Sequence, residues 1–230
     1  MVLLSGGLDS ATTLWIARAR GFRSDALIVD YGQRHRRELR AAQQIAACAG
    51  CPAQLVRLQL PWGGSALTDR RLDVPTGRSL ARIGQGIPAT YIPARNMILV
   101  SLAIGYAEAI GAARVFLGAN AVDFSGYPDC RPIFYRAMAA VIRRGTKAGV
   151  EGHPIRLDTP LIRNTKAQII RWGMRLGVPY ALTWSCYLGG RRPCGRCDSC
   201  RLRANGFAEA GLPDPALAAP RTSRKSLRSP

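Results

Sequence analysis

An apolar run, Met1–Leu4, stops at Ser5-Gly6-Gly7 and gives way to Ala11–Arg20, where Ala11, Leu14, Trp15 and Ala19 share one side of a helix. That alternation recurs along the chain and restricts the fold more than any other feature. Ala26–Val29 reads as a second strand, residues 36–50 as a helix, and residues 53–60 as a third strand. Asn96 is placed to cap a long helix, Met97–Gly111. Residues 113–120 form a further strand, and helices follow at Pro132–Arg144 and over residues 165–177. Thr165 and Gln168 stand at capping-box spacing at the start of the last. Uninterrupted apolar strands alternating with helices predict an α/β fold: a doubly wound, mostly parallel sheet with helices on both faces. Between Pro61 and Thr90 the pattern lapses into Gly, Pro, Arg and Asp, a loop long enough to serve as a lid. The expected organisation is a main domain over 1–180, a cysteine-bearing segment over 181–210 and a basic, loosely structured tail over 211–230.

The chain has 230 residues and a formal charge of +19. Nearly all the basic residues are arginine, since Lys147, Lys166 and Lys225 are the only lysines. Such a charge suits nucleic acid or an anionic ligand. The most apolar stretch, Met97–Ile110, contains Ser101 and Glu108 and does not read as a membrane span. Asp9 breaks the first apolar run early, so the start is not expected to be a secretory signal, and the expected location is cytoplasmic.

The turn Ser5-Gly6-Gly7-Leu8-Asp9-Ser10 lies between strand and helix, where main-chain N–H groups gather round an anion. Glycines permit the necessary backbone angles, and the Ser5 and Ser10 hydroxyls can donate to phosphate oxygens. G-x-G-x-x-G and G-x-x-x-x-G-K-[ST] are both absent, and no lysine is near in sequence. Asp9 beside phosphates calls for a divalent cation such as Mg²⁺. The plainer reading is a tight turn with an acid at the helix start.

This turn resembles the pyrophosphate-binding (PP) loop of the ATP pyrophosphatases, which cleave ATP to AMP and pyrophosphate. Five further motifs narrow the resemblance: DYGQRH (Asp30–His35), YIPARN (Tyr91–Asn96), DFSGYPDCR (Asp123–Arg131), TPLIRNTKAQII (Thr159–Ile170) and TWSCY…PCGRCDSC (Thr183–Cys200). Together they resemble the 7-cyano-7-deazaguanine synthase family of queuosine biosynthesis. The resemblance implies a ligase that joins 7-carboxy-7-deazaguanine to ammonia through adenylated acid and amide intermediates, without nucleic acid or membrane and as a homodimer. It places ATP along Leu4, Ser5, Gly6, Gly7, Leu8, Asp9, Ser10, Ala11, Thr12, Thr13 and Asp30. Catalysis would fall to Asp9, Ser10 and Arg95. The substrate would meet Tyr31, Gln33, Arg34, His35, Arg95, Asn96, Asp123, Ser125, Tyr127 and Asp129. Arg34 and Arg95 suit a carboxylate but equally a surface. His35 suits acid–base work or a structural hydrogen bond. Two rival functions are an ATP-dependent tRNA-modifying PP-loop enzyme and a non-enzymatic zinc module that binds RNA.

Of seven cysteines, four follow C-x₇-C-x₂-C-x₂-C: Cys186, Cys194, Cys197 and Cys200. Four thiolates complete a tetrahedron, so Zn²⁺ here would be structural, with an iron–sulfur cluster as the rival. Cys48 and Cys51 have redox spacing, but they lie at the predicted C-terminal end of a helix, which disfavours a thiolate. Cys48 is expected in the core.

Overall fold

The computed structural model describes residues 1–121 and 126–217. Five strands, β1 (Val2–Leu3), β2 (Ala26–Asp30), β3 (Ala53–Arg57), β4 (Arg114–Phe116) and β5 (Arg156–Asp158), form one parallel sheet in the order β3-β2-β1-β4-β5. The predicted doubly wound α/β class is thus observed. Every residue of β2 is buried, as expected of an inner strand covered on both faces.

Alternate strand residues feed two cores. On one face Val2, Ala26, Ile28 and Phe116 pack against α1 (Leu8–Ala19), α2 (Arg37–Cys48), α6 (Lys166–Arg175) and α7 (Asp198–Ala210). On the other, Leu27, Val29, Val115 and Leu117 pack against α3 (Arg95–Ala109) and α4 (Pro132–Gly145). A short α5 (Lys147–Val150) leads towards β5. α6 starts where the spacing predicts: Thr165 Oγ1 accepts from Gln168 N (3.3 Å), and Gln168 Oε1 accepts from Thr165 N (2.9 Å).

α3 departs from expectation. It begins at Arg95 rather than Met97, after Ala94, whose φ of +52° is left-handed. The cap comes from a distant carboxylate instead of Asn96. Asp129 Oδ2 accepts the Asn96 main-chain N–H at 2.8 Å.

The long Pro61–Thr90 segment is tied down at several points. Arg34 donates to the Asp69 and Leu72 carbonyls (2.9 and 3.0 Å). Thr76 bridges Cys197, Gly77 N donates to Arg196 O (2.9 Å), and Arg78 pairs with Asp198. Ala66 and Val74 pack on the cysteine cluster.

Candidate active site

The winding reverses between β1 and β4. Strands β1 to β3 proceed one way and β4 to β5 the other, so the loops leaving β1 and β4 part over the carboxyl edge of the sheet. Parallel sheets bind ligands at such a crevice. Here it is a cleft of about 270 Å³, lined among others by Ser5, Asp9, Arg95, Tyr127 and Lys166.

The glycine turn is packed from both sides. Gly6 has φ +87°, and a Cβ there would lie 2.2 Å from the Glu38 carbonyl oxygen, so the turn rests on the first turn of α2. A Cβ on Gly118, just past β4, would lie 3.0 Å from Ser10 N and 3.1 Å from Ser10 Cα. The serines face one another across the turn. Their Oγ atoms are 3.0 Å apart, Ser10 Oγ accepts from Ser5 N (3.2 Å), and Ser10 Oγ donates to Gly7 O (3.1 Å). Trp184 N donates to Gly6 O (2.9 Å), bringing the cysteine segment against the turn.

A lysine is present after all, from far along the chain. Lys166, first residue of α6, donates to both Asp9 oxygens at 2.9 and 2.7 Å. No local spacing points to it. The only available signal is its place in the TPLIRNTKAQII motif.

Of the residues expected at ATP, Leu4, Ser5, Gly7, Leu8, Asp9 and Ser10 line the cleft, whereas Gly6, Ala11, Thr12, Thr13 and Asp30 do not. Thr12 shares a hydrogen bond with Tyr180 OH (2.8 Å), and Thr13 donates to Asp9 O (2.9 Å). Asp30 accepts from Gly32 N (3.2 Å) and pairs with Arg36 (2.6 Å).

Of those expected at the substrate, Tyr31, His35, Arg95, Asn96 and Tyr127 line the cleft, and Gln33, Arg34 and Asp129 stand outside it. Arg34 holds the long segment, and Asp129 caps α3. Asp123 and Ser125 lie outside the described residues. Arg95 reaches Tyr31 OH at 3.4 Å and Asn96 Oδ1 at 3.3 Å. Burial pushes the Tyr31 phenol up to about 12, so it stays a neutral hydrogen-bonding group. Asn96 Nδ2 also approaches Cys130 Sγ (2.9 Å). Glu38, which the motif reading missed, joins the wall beside His35.

The Sγ atoms of Cys186, Cys194, Cys197 and Cys200 all lie within 4.8 Å of one another. Sulfurs about 2.3 Å from a zinc are about 3.8 Å apart, so a small contraction makes a tetrahedron. Main-chain N–H groups already point at two sulfurs: Cys194 N at Cys186 (3.4 Å) and Cys197 N at Cys194 (3.3 Å). Cys186 is held well below its ordinary range by hydrogen bonds from Cys197 and Cys200. Both donors are raised in turn, Cys197 to about 11. This set fits a thiophilic ion. Cys48 is exposed rather than in the core, because α2 turns that side outward. Cys51 is buried, donates to Ser24 O (3.0 Å), and is pushed up to about 11 by burial.

Fold and cleft together define a parallel α/β protein with a glycine turn, a carboxylate–lysine pair and a half-buried arginine at the switch point of its sheet. The chain matches the family model described as Queuosine biosynthesis protein QueC over residues 1–211 and belongs to that family. It is 55% identical to the 7-cyano-7-deazaguanine synthase of Anaeromyxobacter dehalogenans over 94% of this chain and 93% of the relative. It is 57% identical to that of Thermosynechococcus vestitus, with the same coverage. A solved NMN synthetase from Francisella tularensis superimposes with a TM-score of 0.46 at 16% identity, over 92% of this chain and 76% of that one, a likeness too loose to build on. Among the described residues no helix is long and apolar enough to cross a membrane.

Proposed function

We propose that the chain makes 7-cyano-7-deazaguanine from 7-carboxy-7-deazaguanine, ammonia and two ATP, as a cytoplasmic homodimer in queuosine biosynthesis. The observation that carries this reading is the convergence of the Ser5–Ser10 turn, Lys166 and Arg95 on one cleft in a member of this family. Both nucleotide and acid bring negative charge, and both cations await it on opposite walls.

The carboxylate oxygen attacks the α-phosphorus of ATP, pyrophosphate leaves, and the acid becomes an acyl adenylate. Ammonia displaces AMP to give the amide. The amide oxygen is adenylated in the same way, and loss of AMP leaves the nitrile. In this scheme the turn's N–H groups and the Ser5 and Ser10 hydroxyls hold the departing pyrophosphate. Lys166 supplies the charge that the turn lacks, and Arg95 faces the carboxylate and the charge that develops on it. Asp9 offers Mg²⁺ one carboxylate beside phosphate oxygens, which fits that ion's habit of few protein ligands, although Lys166 must then share it. Mg²⁺ would supply charge neutralisation on the phosphates. The four cysteines would hold Zn²⁺ with no open position, so the segment over 181–210 shapes the site without reacting. Residues 1–180 carry the chemistry.

Incubation with ATP, Mg²⁺, ammonium and 7-carboxy-7-deazaguanine, followed by mass spectrometry, should give the nitrile with AMP and pyrophosphate. Lys166→Met should lower AMP release by about 10²-fold or more. Wild-type protein that folds but releases no AMP would overturn the reading and favour a non-enzymatic role.

A further inference from the structure

His35 is 3% exposed, yet it is one of the residues that line the cleft. Its Nε2 lies 3.0 Å from Glu38 Oε2. The other Glu38 oxygen accepts from Gln33 Nε2 at 2.9 Å, and Gln33 is itself held by Tyr31 N (2.9 Å). A carboxylate only accepts, so Nε2 is the donor in this contact, and in the neutral imidazole Nδ1 is the lone pair. That Nδ1 is buried and has no hydrogen-bond partner among the described residues. An orphaned buried acceptor costs folding free energy. A carboxylate that fixes the tautomer of a ring whose second nitrogen is unmet is the arrangement of an oriented base.

Resting on the function proposed above, we infer that His35 is the proton acceptor of the nitrile-forming half-reaction and Glu38 its positioning residue. Adenylation of the amide oxygen leaves a C=NH₂⁺ group with two protons to lose. Nδ1 takes the first, giving a neutral imidate and an imidazolium that Glu38 stabilises. The second proton leaves to the phosphate of the departing AMP as the C–O bond breaks. The C–O electron pair goes with AMP, and the N–H pair becomes the third carbon–nitrogen bond. Amide formation depends less on this base, because excess ammonia can take a proton there itself.

The test feeds the two halves separately. With the amide, ATP and Mg²⁺ but no ammonium, His35→Ala should slow nitrile formation by about 10²-fold or more. From the acid with ammonium, amide formation should fall less than about tenfold, so amide accumulates. Added imidazole should restore part of the lost rate in His35→Ala. His35→Gln, which keeps a donor to Glu38 but no basic nitrogen, should stay slow without it. Glu38→Gln should slow the nitrile step by about tenfold and covers the case in which His35→Ala does not fold. Equal loss in both halves by a folded His35 variant, no loss in either, or a fully active His35→Gln would each overturn the inference. Failure of the proposed function shows differently, as wild-type protein forming neither amide nor nitrile.

Discussion

Gly118→Ala tests how closely the cleft is built. The added methyl would lie 3.0 Å from Ser10 N, 3.1 Å from Ser10 Cα and 3.2 Å from Asp9 C, all main-chain atoms. Carbon contacts settle near 3.5–4.0 Å, so something must move by about 0.5 Å. The strand side is held, since Phe116 N donates to Met1 O (2.9 Å) and Leu117 N to Asp158 O (2.9 Å). The first turn of α1 must therefore give way, and with it Asp9 and Ser10. Overpacking of this kind costs about 1–3 kcal/mol. For a chain of this size that corresponds to a fall in Tm of roughly 2–12 °C. A displacement of reacting groups by a large fraction of an ångström should lower kcat/KM by about 10–100-fold. Calorimetry and AMP release measure the two effects. Gly105→Ala in α3 is the control: nothing lies within 4 Å of its added methyl, and alanine in a helix should stabilise by roughly 0.5–1 kcal/mol. Wild-type Tm and activity in Gly118→Ala would refute the claim that the crevice holds the turn by direct contact.

Asp214→Ala should cost about 3–5 kcal/mol in urea unfolding, because it strips the partner from Arg203 in a pair 9% and 5% exposed; adding Arg203→Met should recover part of the loss. The buried Cys51 thiol is raised from 9 to about 11, so the unfolded chain loses that proton first and stability should fall as pH rises through this window. Cys51→Ala should flatten that fall in a series of urea midpoints while leaving turnover near wild type. Purified protein should contain one zinc per chain, and chelation or serine at Cys194 should lower Tm with activity following the folded fraction. Iron with sulfide, or a folded but inert zinc-free protein, would contradict that.

Much of the sheet was legible because its inner strands are plain apolar runs; Ala26–Asp30 admits little else. β5 was not, since Arg156-Leu157-Asp158 is three residues long with two charges, one paired with Arg114 on the neighbouring strand. α7 was hidden by its own chemistry: it begins at Asp198 between two cysteines, where metal spacing masks helical periodicity. The glycine turn reads locally and could be located from a handful of residues. Lys166, Glu38 and the Asp129 cap could not, because each meets its partner through the fold. The same holds for Arg34, whose guanidinium looked available for a substrate and instead bonds two carbonyls of the long segment.

The pairing of Asp9 with Lys166 also has a meaning in time. The two residues are 157 positions apart, and Gly6 waits longer still for the N–H of Trp184. A ribosome adds about 5–20 residues per second, so the turn is made roughly 8–30 s before its lysine. During that interval the first strand, the turn and α1 can form early sheet contacts but not a finished site. The turn is thus translated long before the lysine that pairs with Asp9, and a chain that stops before α6 has the turn without that lysine.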